Sequence, residues 1–271
     1  MTLLLEYTAR TPIPVEVEGL IPSAVREKSL AEIERWEAFH GKQKVPLGEL
    51  FQISGDPADE RIEFQGELAG VHWIGARMDG GEIRVAGTAG RHVGSEMTAG
   101  TIVVEGDAGD WVGGELHGGT IHVRGRAGHL VGAAYRGSRR GMTGGTILVE
   151  GTTGNETGHT LRRGLIAVGG AGDFAGVNMI AGTLLVLGPC GIRPGANMRR
   201  GTIGLFGSEQ ARLLPTFRYA CRYRPPILSL LASELGRHGF PMPDGMPSAE
   251  VELFHGDLVT LGRGEILLPL R

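Results

Sequence analysis

Three arginine pairs in the middle of the chain have the chemistry of an anion-binding surface. They are Arg139 with Arg140, Arg162 with Arg163, and Arg199 with Arg200. Residues 116–225 hold 14 basic and 4 acidic residues, although the whole chain has a net charge of −3. Guanidinium groups bind carboxylates and phosphates through parallel N–H donors. This stretch therefore predicts a surface that attracts a nucleic acid, a polycarboxylate or an acidic protein, unless it is simply a solvated face.

A nucleic acid is the weakest of these options, because few aromatic residues accompany the arginines and no nucleic-acid-binding motif is present. The histidines also predict no site. Five of them fall at five different repeat offsets and have no acidic pair at a fixed spacing, so we expect scattered surface side chains and neither metal ligands nor bases. They are His92, His117, His122, His129 and His159.

The other chemical motifs are absent as well. Cys190 and Cys221 stand far apart in the sequence without a CxxC, which predicts two reduced structural thiols and no zinc or iron–sulfur site. No GxSxG, P-loop or dinucleotide-binding fingerprint survives inspection, because each partial match belongs to a repeat. We expect no catalytic residue, no bound metal and no active site on this chain alone.

The arginine pairs lie within a glycine-bounded repeat. Its spacing is uniform except for one seven-residue insertion and one single-residue deletion. Apolar residues alternate inside each copy, as in Ile102 and Val104, which is the pattern of a strand. The copies occupy 81–87, 100–106, 119–125, 145–151, 164–170, 182–188 and 201–207.

A second set of glycines, which recurs at the same position of successive repeats and is called the corner column, marks the corners between the strands. Most of its members are followed three residues later by Met or Leu, and the column comprises Gly94, Gly113, Gly132, Gly158, Gly176 and Gly195. We therefore predict a mainly β protein: a single-stranded right-handed parallel β-helix of about seven 19-residue coils, with small α/β extensions at both ends. Left-handed hexad helices need 18-residue coils, and calcium-binding nonapeptide coils need an aspartate column. Both fit less well.

The repeat also arranges the arginines. Stacked coils lie about 4.8 Å apart, so Arg162 and Arg199, two coils from each other, should stand about 10 Å apart on one edge. Arg139 and Arg140 approach the same edge from the segment 133–141, which accommodates the seven-residue insertion and contains Arg136 as well. The insertion must leave the stack as a surface loop, where it serves recognition or is merely tolerated.

The domain organisation follows from where the repeat stops. We assign 1–46 to an N-terminal strand and helix extension, 47–207 to the β-helix and 208–271 to a C-terminal cap. Ser29 and Glu32 form a capping-box pattern that predicts a helix ending near Gly41.

Several elements are expected in the C-terminal cap. They are a helical turn at 208–214, a helix at 227–235 ended by Gly236, a linker at 241–246 and final strands from 251 to 268. The outward strand positions become apolar in the later coils, at Leu148, Ala167 and Leu185. The helix should cap the end of the solenoid or cover this flank.

No run of 18 apolar residues is present, and the N-terminal apolar run is too short for a signal peptide. We expect a soluble, cytoplasmic protein without membrane contact. Arginine outnumbers lysine by 24 to 3, which is typical of a GC-rich genome.

The repeat pattern GxIxVxG…AGxxVGxxMxxG, at 81–100 and again at 100–119, resembles a known family. The same β-helix occurs in the C-terminal domain of the glutamate synthase large subunit and in the C subunit of formylmethanofuran dehydrogenase. The segment 29–33, Gly41 and the segment 47–51 look like the N-terminal part of that C subunit, so the resemblance extends over nearly the whole chain. A glutamate synthase domain would lack the first 46 residues.

The resemblance implies a non-catalytic, scaffolding C subunit. The arginine-rich composition favours the formyltransferase/hydrolase complex, which moves a formyl group from formyl-tetrahydromethanopterin to a methanofuran-type cofactor and releases formate. The alternatives are the C subunit of a tungsten or molybdenum formylmethanofuran dehydrogenase, a glutamate synthase-like structural domain, or an independent polysaccharide-active β-helix, for which no acidic groove is evident.

The resemblance also implies the partners. These are the A, B and D subunits, namely an amidohydrolase-like subunit with a zinc-type site, a pterin-enzyme-like subunit and a formyltransferase subunit. A tungsten or molybdenum pterin belongs only to the dehydrogenase. Methanofuran-type cofactors of this family carry a polyglutamate tail, which implies that seven arginines guide that tail or hold an acidic subunit. They are Arg136, Arg139, Arg140, Arg162, Arg163, Arg199 and Arg200.

Overall fold

The structure, a computed structural model, describes residues 2–207 and 211–270. The α-helices are α1 (Pro22–Val25), α2 (Leu30–Glu34) and α3 (Ile227–Arg237). The strands are β1 (Leu3–Tyr7), β2 (Val15–Glu16), β3 (Glu37–His40), β4 (Gln43–Pro46), β5 (Phe51–Ser54), β6 (Arg61–Gln65), β7 (Val71–His72), β8 (Asp79–Val85), β9 (Ala99–Val104), β10 (Thr120–Val123), β11 (Thr146–Thr153), β12 (Leu165–Ala171), β13 (Thr183–Val186), β14 (Arg200–Leu205), β15 (Arg218–Tyr223), β16 (Val251–Gly256) and β17 (Arg263–Pro269). Within the described residues, no helix is long and apolar enough to cross a membrane.

Thirteen of the described strands form one sheet, in the order β15-β16-β17-β14-β13-β12-β11-β10-β9-β8-β6-β1-β5. The strands from β8 to β14 follow the order of the sequence and pair in parallel. Equivalent repeat positions stand side by side, as Ile102, Ile121 and Ile147 do. The strand predicted at the start of each repeat is confirmed. The chain is mainly β, with a large parallel-rich sheet and few helices, consistent with a β-helix-like fold.

The insertion does not disturb this register. Thr120 on β10 stands opposite Thr146 on β11, although the chain between them is longer than in any other repeat. The extra residues leave the stack between Gly132 and Met142, and residues 136–140 are exposed. The predicted surface loop is therefore confirmed.

The core lies inside the stack and is built from the alternating strand residues and a column three residues after each corner glycine. Ile83 and Ile102 are fully buried, and so are Met97 and Met142. The apolar residues of each coil are buried only by packing against the coils above and below it. The buried residues therefore form one continuous cluster along the stack.

Gly113 shows why the corner column is glycine. Its φ is +61°, a left-handed conformation that costs other residues about 1 kcal/mol or more. A Cβ atom built on it would lie 2.5 Å from Cδ1 of Ile147, two coils further on. The close packing therefore excludes a side chain at this corner, and the backbone conformation would add strain.

The N-terminal segment joins the same sheet, since β1 pairs in parallel with β6. The capping box is present, with Oε2 of Glu32 accepting from the backbone N–H of Ser29 at 2.8 Å. The helix predicted to reach Gly41 is wrong in length, because α2 ends at Glu34. Residues 37–46 instead form the β3–β4 hairpin, which turns at Gly41 and pairs with β2. Pairing with a strand from elsewhere in the chain outweighed local helix propensity.

The C-terminal segment extends the sheet and covers its flank. The predicted helical turn at 208–214 lies partly outside the described residues, since 208–210 are not described, and 211–214 are not helical. The predicted helix is confirmed as α3, which ends slightly later than expected. The last strands are confirmed too, with β17 pairing in parallel with β14. Leu228 and Leu235 of α3 are buried in a second cluster with the outward-facing Leu148, Ala167 and Leu185.

Candidate anion-binding arginine surface

Equivalent positions in the repeat carry the second and third arginine pairs. The backbone N–H of Arg162 donates to the carbonyl of Met142 at 2.9 Å, and that of Arg199 donates to the carbonyl of Met179 at 2.8 Å. Each arginine thus directly follows the buried residue that stands three positions after a corner glycine. The two arginines are two coils apart, so the expected distance between them is about 10 Å. The predicted alignment of these pairs follows from the uniform register.

Three of the arginines line one shallow depression of about 450 Å³. Arg162 and Arg163 come from one coil and Arg200 from the coil two steps later, with Thr183 between them. Arg163 and Arg200 are exposed, and Arg162 is partly buried. Two coils thus present guanidinium groups to the same space, which suits a ligand or partner with several carboxylates.

Arg139 and Arg199 line a second depression, of about 470 Å³, together with Thr160, Asn178 and Asn197. The amides are held in a ladder. Asn197 Nδ2 donates to Asn178 Oδ1. Asn178 Nδ2 lies 3.2 Å from Nε2 of His159. Fixed amides between two arginines provide neutral donors beside the charged ones, a combination that binds carboxylates.

Arg136 and Arg140 lie on the exposed insertion and line neither depression. The positions equivalent to Arg162 and Arg163 in the inserted coil are held by Thr143 and Gly144, which directly follow buried Met142. Arg139 thus reaches the second depression from the loop and not from the stack. The structure brings Arg162, Arg163 and Arg200 together in one depression and Arg139 and Arg199 in the other.

None of the seven arginines forms an ion pair with any residue that the structure describes. Arginines of the earlier coils behave differently. Arg84 pairs with Glu63 at 3.3 Å and with Glu105 at 3.1 Å, and Arg77 pairs with Glu18 at 3.0 Å and with Glu96 at 3.2 Å. The charge split of the sequence thus becomes a structural contrast between an acidic first part, where Arg77 and Arg84 are paired with glutamates, and a basic part whose seven arginines have no such partners among the described residues.

Arg263 is a further basic residue at this edge that the sequence did not reveal. Strand β17 adds itself to the sheet beside β14, and its Arg263 stands in register with Arg200. Arg263 is exposed and has no ion pair within residues 2–207 and 211–270. We call Arg263 together with the seven arginines above the arginine surface. No sequence period reveals Arg263, because it lies outside the repeat.

An aromatic column on another edge was also missed. Trp73, His92 and Trp111 hold equivalent positions in successive coils, and the ring centroids of Trp73 and His92 are 4.0 Å apart at an angle of 4°. Tyr135 of the insertion folds onto this column, 4.8 Å from Trp111. Its hydroxyl lies 3.1 Å from Nδ1 of His92. The sequence contained a signal for this column, since the two tryptophans are separated by two repeat lengths.

Burial sets the protonation states in this column. Burial, with smaller contributions from the nearby Arg91 and His72, lowers the pKa of His92 to about 4. Burial raises the pKa of Tyr135 to about 12. Both side chains are therefore neutral at neutral pH, and a hydrogen bond joins the Tyr135 hydroxyl and Nδ1 of His92. The column ties the insertion to the stack.

The remaining histidines and the two thiols differ in burial. His122, expected on the surface, is instead buried under Phe240 and lies 2.9 Å from Oε1 of Glu150. The predicted surface position is wrong here because the C-terminal segment covers that flank. Cys190 is partly buried, which raises its thiol pKa to about 11, and Cys221 is exposed. Among the described residues, no group of three His, Cys, Asp or Glu side chains could hold a metal ion.

The chain is similar to several known proteins, although no protein-family model matches it. It is 36% identical over 95 residues to the C subunit of tungsten-containing formylmethanofuran dehydrogenase 2 of Methanothermobacter wolfeii, which is 34% of this chain and 35% of that protein. It is 36% identical over 85 residues to the C subunit of molybdenum-containing formylmethanofuran dehydrogenase 1 of Methanosarcina barkeri, or 30% of this chain and 28% of that protein. These matches span about a third of the curated relatives.

One solved structure matches over the whole length. A chain of the crystal structure of the formyltransferase/hydrolase complex FhcABCD from Methylorubrum extorquens, in complex with methylofuran, superimposes with a TM-score of 0.90 and 33% identity, covering 99% of this chain and 100% of that chain. The fold and this match define the class, which is a mainly β subunit of a multi-subunit enzyme complex. The chain belongs to the family formed by the C subunit of formylmethanofuran dehydrogenase and its counterpart in the formyltransferase/hydrolase complex.

Proposed function

We propose that the chain is the non-catalytic, scaffolding C subunit of a formyltransferase/hydrolase complex. That complex would move a formyl group from formyl-tetrahydromethanopterin to a methanofuran-type cofactor and release formate. The observation that carries the proposal is the full-length likeness to a chain of FhcABCD, at 33% identity and a TM-score of 0.90. The dehydrogenase relatives match over only about a third of their length.

The architecture supports a scaffold. We propose a right-handed parallel β-helix of about seven coils at 47–207, flanked by extensions at 1–46 and 208–271, in a cytoplasmic protein. Strands in continuous register form a stiff body, which suits a part that holds other subunits in place. The partners would be the A, B and D subunits, which would carry the zinc-type hydrolase site, the pterin-enzyme-like fold and the formyltransferase site.

The second candidate is the C subunit of a tungsten or molybdenum formylmethanofuran dehydrogenase. The curated relatives carry those names, which favours it. A tungsten or molybdenum signal in the complex purified from its native source would select this candidate, and co-purifying formyltransferase without either metal would select the first. A glutamate synthase-like domain is disfavoured, since β1 of the N-terminal segment is part of the main sheet.

We further propose that the arginine surface holds a polyanion, either the polyglutamate tail of the cofactor or an acidic subunit. Its guanidinium groups have no acidic partners among the described residues, in contrast to Arg77 and Arg84. Crowding like charges on one edge costs free energy that a bound polyanion would recover. The two depressions are large enough for several carboxylates, and the amides of Asn178 and Asn197 add neutral donors.

The test is charge reversal in the assembled complex. The full chain is tagged in its native host as the sole copy, and Arg162→Glu and Arg199→Glu are made singly. Each should reduce either the amount of a partner subunit per chain or the formyl turnover at least about tenfold, because an attraction becomes a repulsion. Arg10→Glu is the matched control, since Arg10 is exposed and lies in the acidic first part. Full assembly and full turnover in both variants would contradict a role of the arginine surface in binding a polyanion.

A further inference from the structure

The loop between β16 and β17 carries an exposed apolar tip. Leu258 is 48% exposed, Val259 75% and Leu261 59%. Three large apolar side chains lie within four residues, whereas hydrophobic residues at protein surfaces usually stand singly. We call these three residues the apolar tip.

The apolar tip is rigidly attached to the end of the stack. Asp257 is only 4% exposed, and its carboxylate accepts from the backbone N–H of Asn197 at 2.9 Å and of Val259 at 3.0 Å. The hydroxyl of Thr260 donates to the carbonyl of Met198 at 2.6 Å. A loop held this firmly loses little conformational entropy when it binds, which favours a docking role over that of a loose connection.

Unpaired positive charge flanks the apolar tip. Arg263 follows Leu261 by two residues and stands in register with Arg200 on the neighbouring strand. Arg199 directly follows Met198, whose carbonyl holds Thr260. These three arginines have no ion pair in the described parts of the chain. Like charges side by side on adjacent strands are destabilising until an anionic group lies between them.

We propose that the apolar tip inserts into an apolar pocket of a neighbouring protein subunit whose rim carries carboxylates that pair with Arg199, Arg200 and Arg263. The occupant is a protein because the chain belongs to a family of complex subunits, and its charge is argued from the arginines. An apolar centre surrounded by charged pairs is the usual anatomy of a protein interface. The inference rests on the proposed scaffolding function and adds a defined docking point to it.

The experiment uses the complex purified from the native host through the tagged full chain. Val259→Asn and Leu261→Asn should each lower the recovery of one identified subunit at least about tenfold, since they remove buried apolar area from the contact. Val259→Ile should keep the recovery of that subunit at the wild-type level. Ile13→Asn is the matched control, because Ile13 is 46% exposed and lies in the N-terminal segment, remote in sequence. Circular dichroism and the melting temperature of each variant confirm that it folds.

A photo-crosslinker at position 259 identifies the contact. The inference predicts a crosslink to one subunit of the same complex, in a peptide that contains apolar residues with Asp or Glu beside them. It is overturned if both Asn variants keep the full set of subunits, if the crosslink joins two copies of this chain, or if the chain sediments with phosphatidylglycerol vesicles in a manner that Val259→Asn abolishes. If the wild-type chain recovers no subunit, the scaffolding function itself fails, which is a separate outcome.

Discussion

At the residue scale, His92 illustrates how stacking changes the chemistry of a side chain. Alone in the sequence it looked like a scattered surface histidine. In the structure it lies between Trp73 and Trp111 and shares a hydrogen bond with the hydroxyl of Tyr135. Burial among these rings favours the neutral imidazole, so its pKa falls to about 4.

This shift predicts a pH dependence of stability. The imidazole in the unfolded chain has a pKa near 6.5, so the unfolded state takes up a proton first as the pH falls. The stability associated with neutral His92 is fully present above pH 6.5 and is lost as the pH falls toward about 4. The loss should be about 2 kcal/mol, given that the ring retains some solvent contact. Urea unfolding at a series of pH values measures it.

The control compares two variants. His92→Gln should flatten the difference between pH 6.5 and 4, and His117→Gln should keep the wild-type slope because His117 is exposed. Equal slopes in the wild-type protein and His92→Gln would show that the stack does not depend on a neutral imidazole.

At the element scale, helix α3 acts as the cover of the late strands. The outward positions at Leu148, Ala167 and Leu185 are fully buried, although a solvated sheet face would carry polar residues there. The helix supplies Leu228 and Leu235 to this contact and leaves Leu230 66% exposed. Its amphipathic pattern therefore matches its position on the flank.

Leu235→Ala tests this cover. Removing a fully buried leucine leaves a cavity, so the free energy of unfolding should fall by about 2–5 kcal/mol. Hydrogen exchange should become faster in β11, β12 and β13 beneath the helix. Leu230→Ala removes the same atoms from the exposed side of the same helix and should change stability by less than about 0.5 kcal/mol. Similar losses in both variants would contradict the packing of α3 described above.

At the scale of the whole molecule, the charges divide along the stack. In the early coils acidic and basic side chains alternate across neighbouring strands, as Arg84 does between Glu63 and Glu105. Each exposed pair contributes little stability, but the pairs compensate the charge of these arginines locally. The later coils have few acids, and Arg163, Arg199 and Arg200 are exposed and form no ion pair with any described residue, so these arginines dominate the electrostatic field there.

This division predicts a salt-dependent affinity for polyanions. Fluorescence anisotropy with labelled poly-glutamate should show binding to the wild-type complex, stripped of bound polyanion, that weakens at least about tenfold between about 0.05 M and about 0.5 M salt, because screening shortens the range of the field. Arg163→Glu with Arg200→Glu should reduce this salt dependence. Arg84→Gln should not, since Arg84 is already paired. Affinity that does not change with salt would contradict an electrostatic role.

Much of the fold was predictable from the sequence because a repeat carries the same local information many times. The regular glycine period and the alternation of Ile and Val determine the strands, and the stacking of identical positions determines their register. The placement of Arg162 two coils from Arg199 follows from that register alone. The apolar outward residues of the late strands likewise predicted a cover, and α3 provides it.

Other features depended on contacts between distant parts of the chain. The helix begun at Ser29 stops at Glu34 because the following residues pair with β2, a preference invisible in the capping box. Arg263 joins the arginine surface because β17 pairs with β14, and Tyr135 covers His92 because the insertion folds back onto an earlier coil. Local propensity and periodicity are properties of neighbours in sequence, so they determined the repeating stack. The ends, the loop and the apolar tip were decided only in three dimensions, where non-local pairing and burial outweigh local preference.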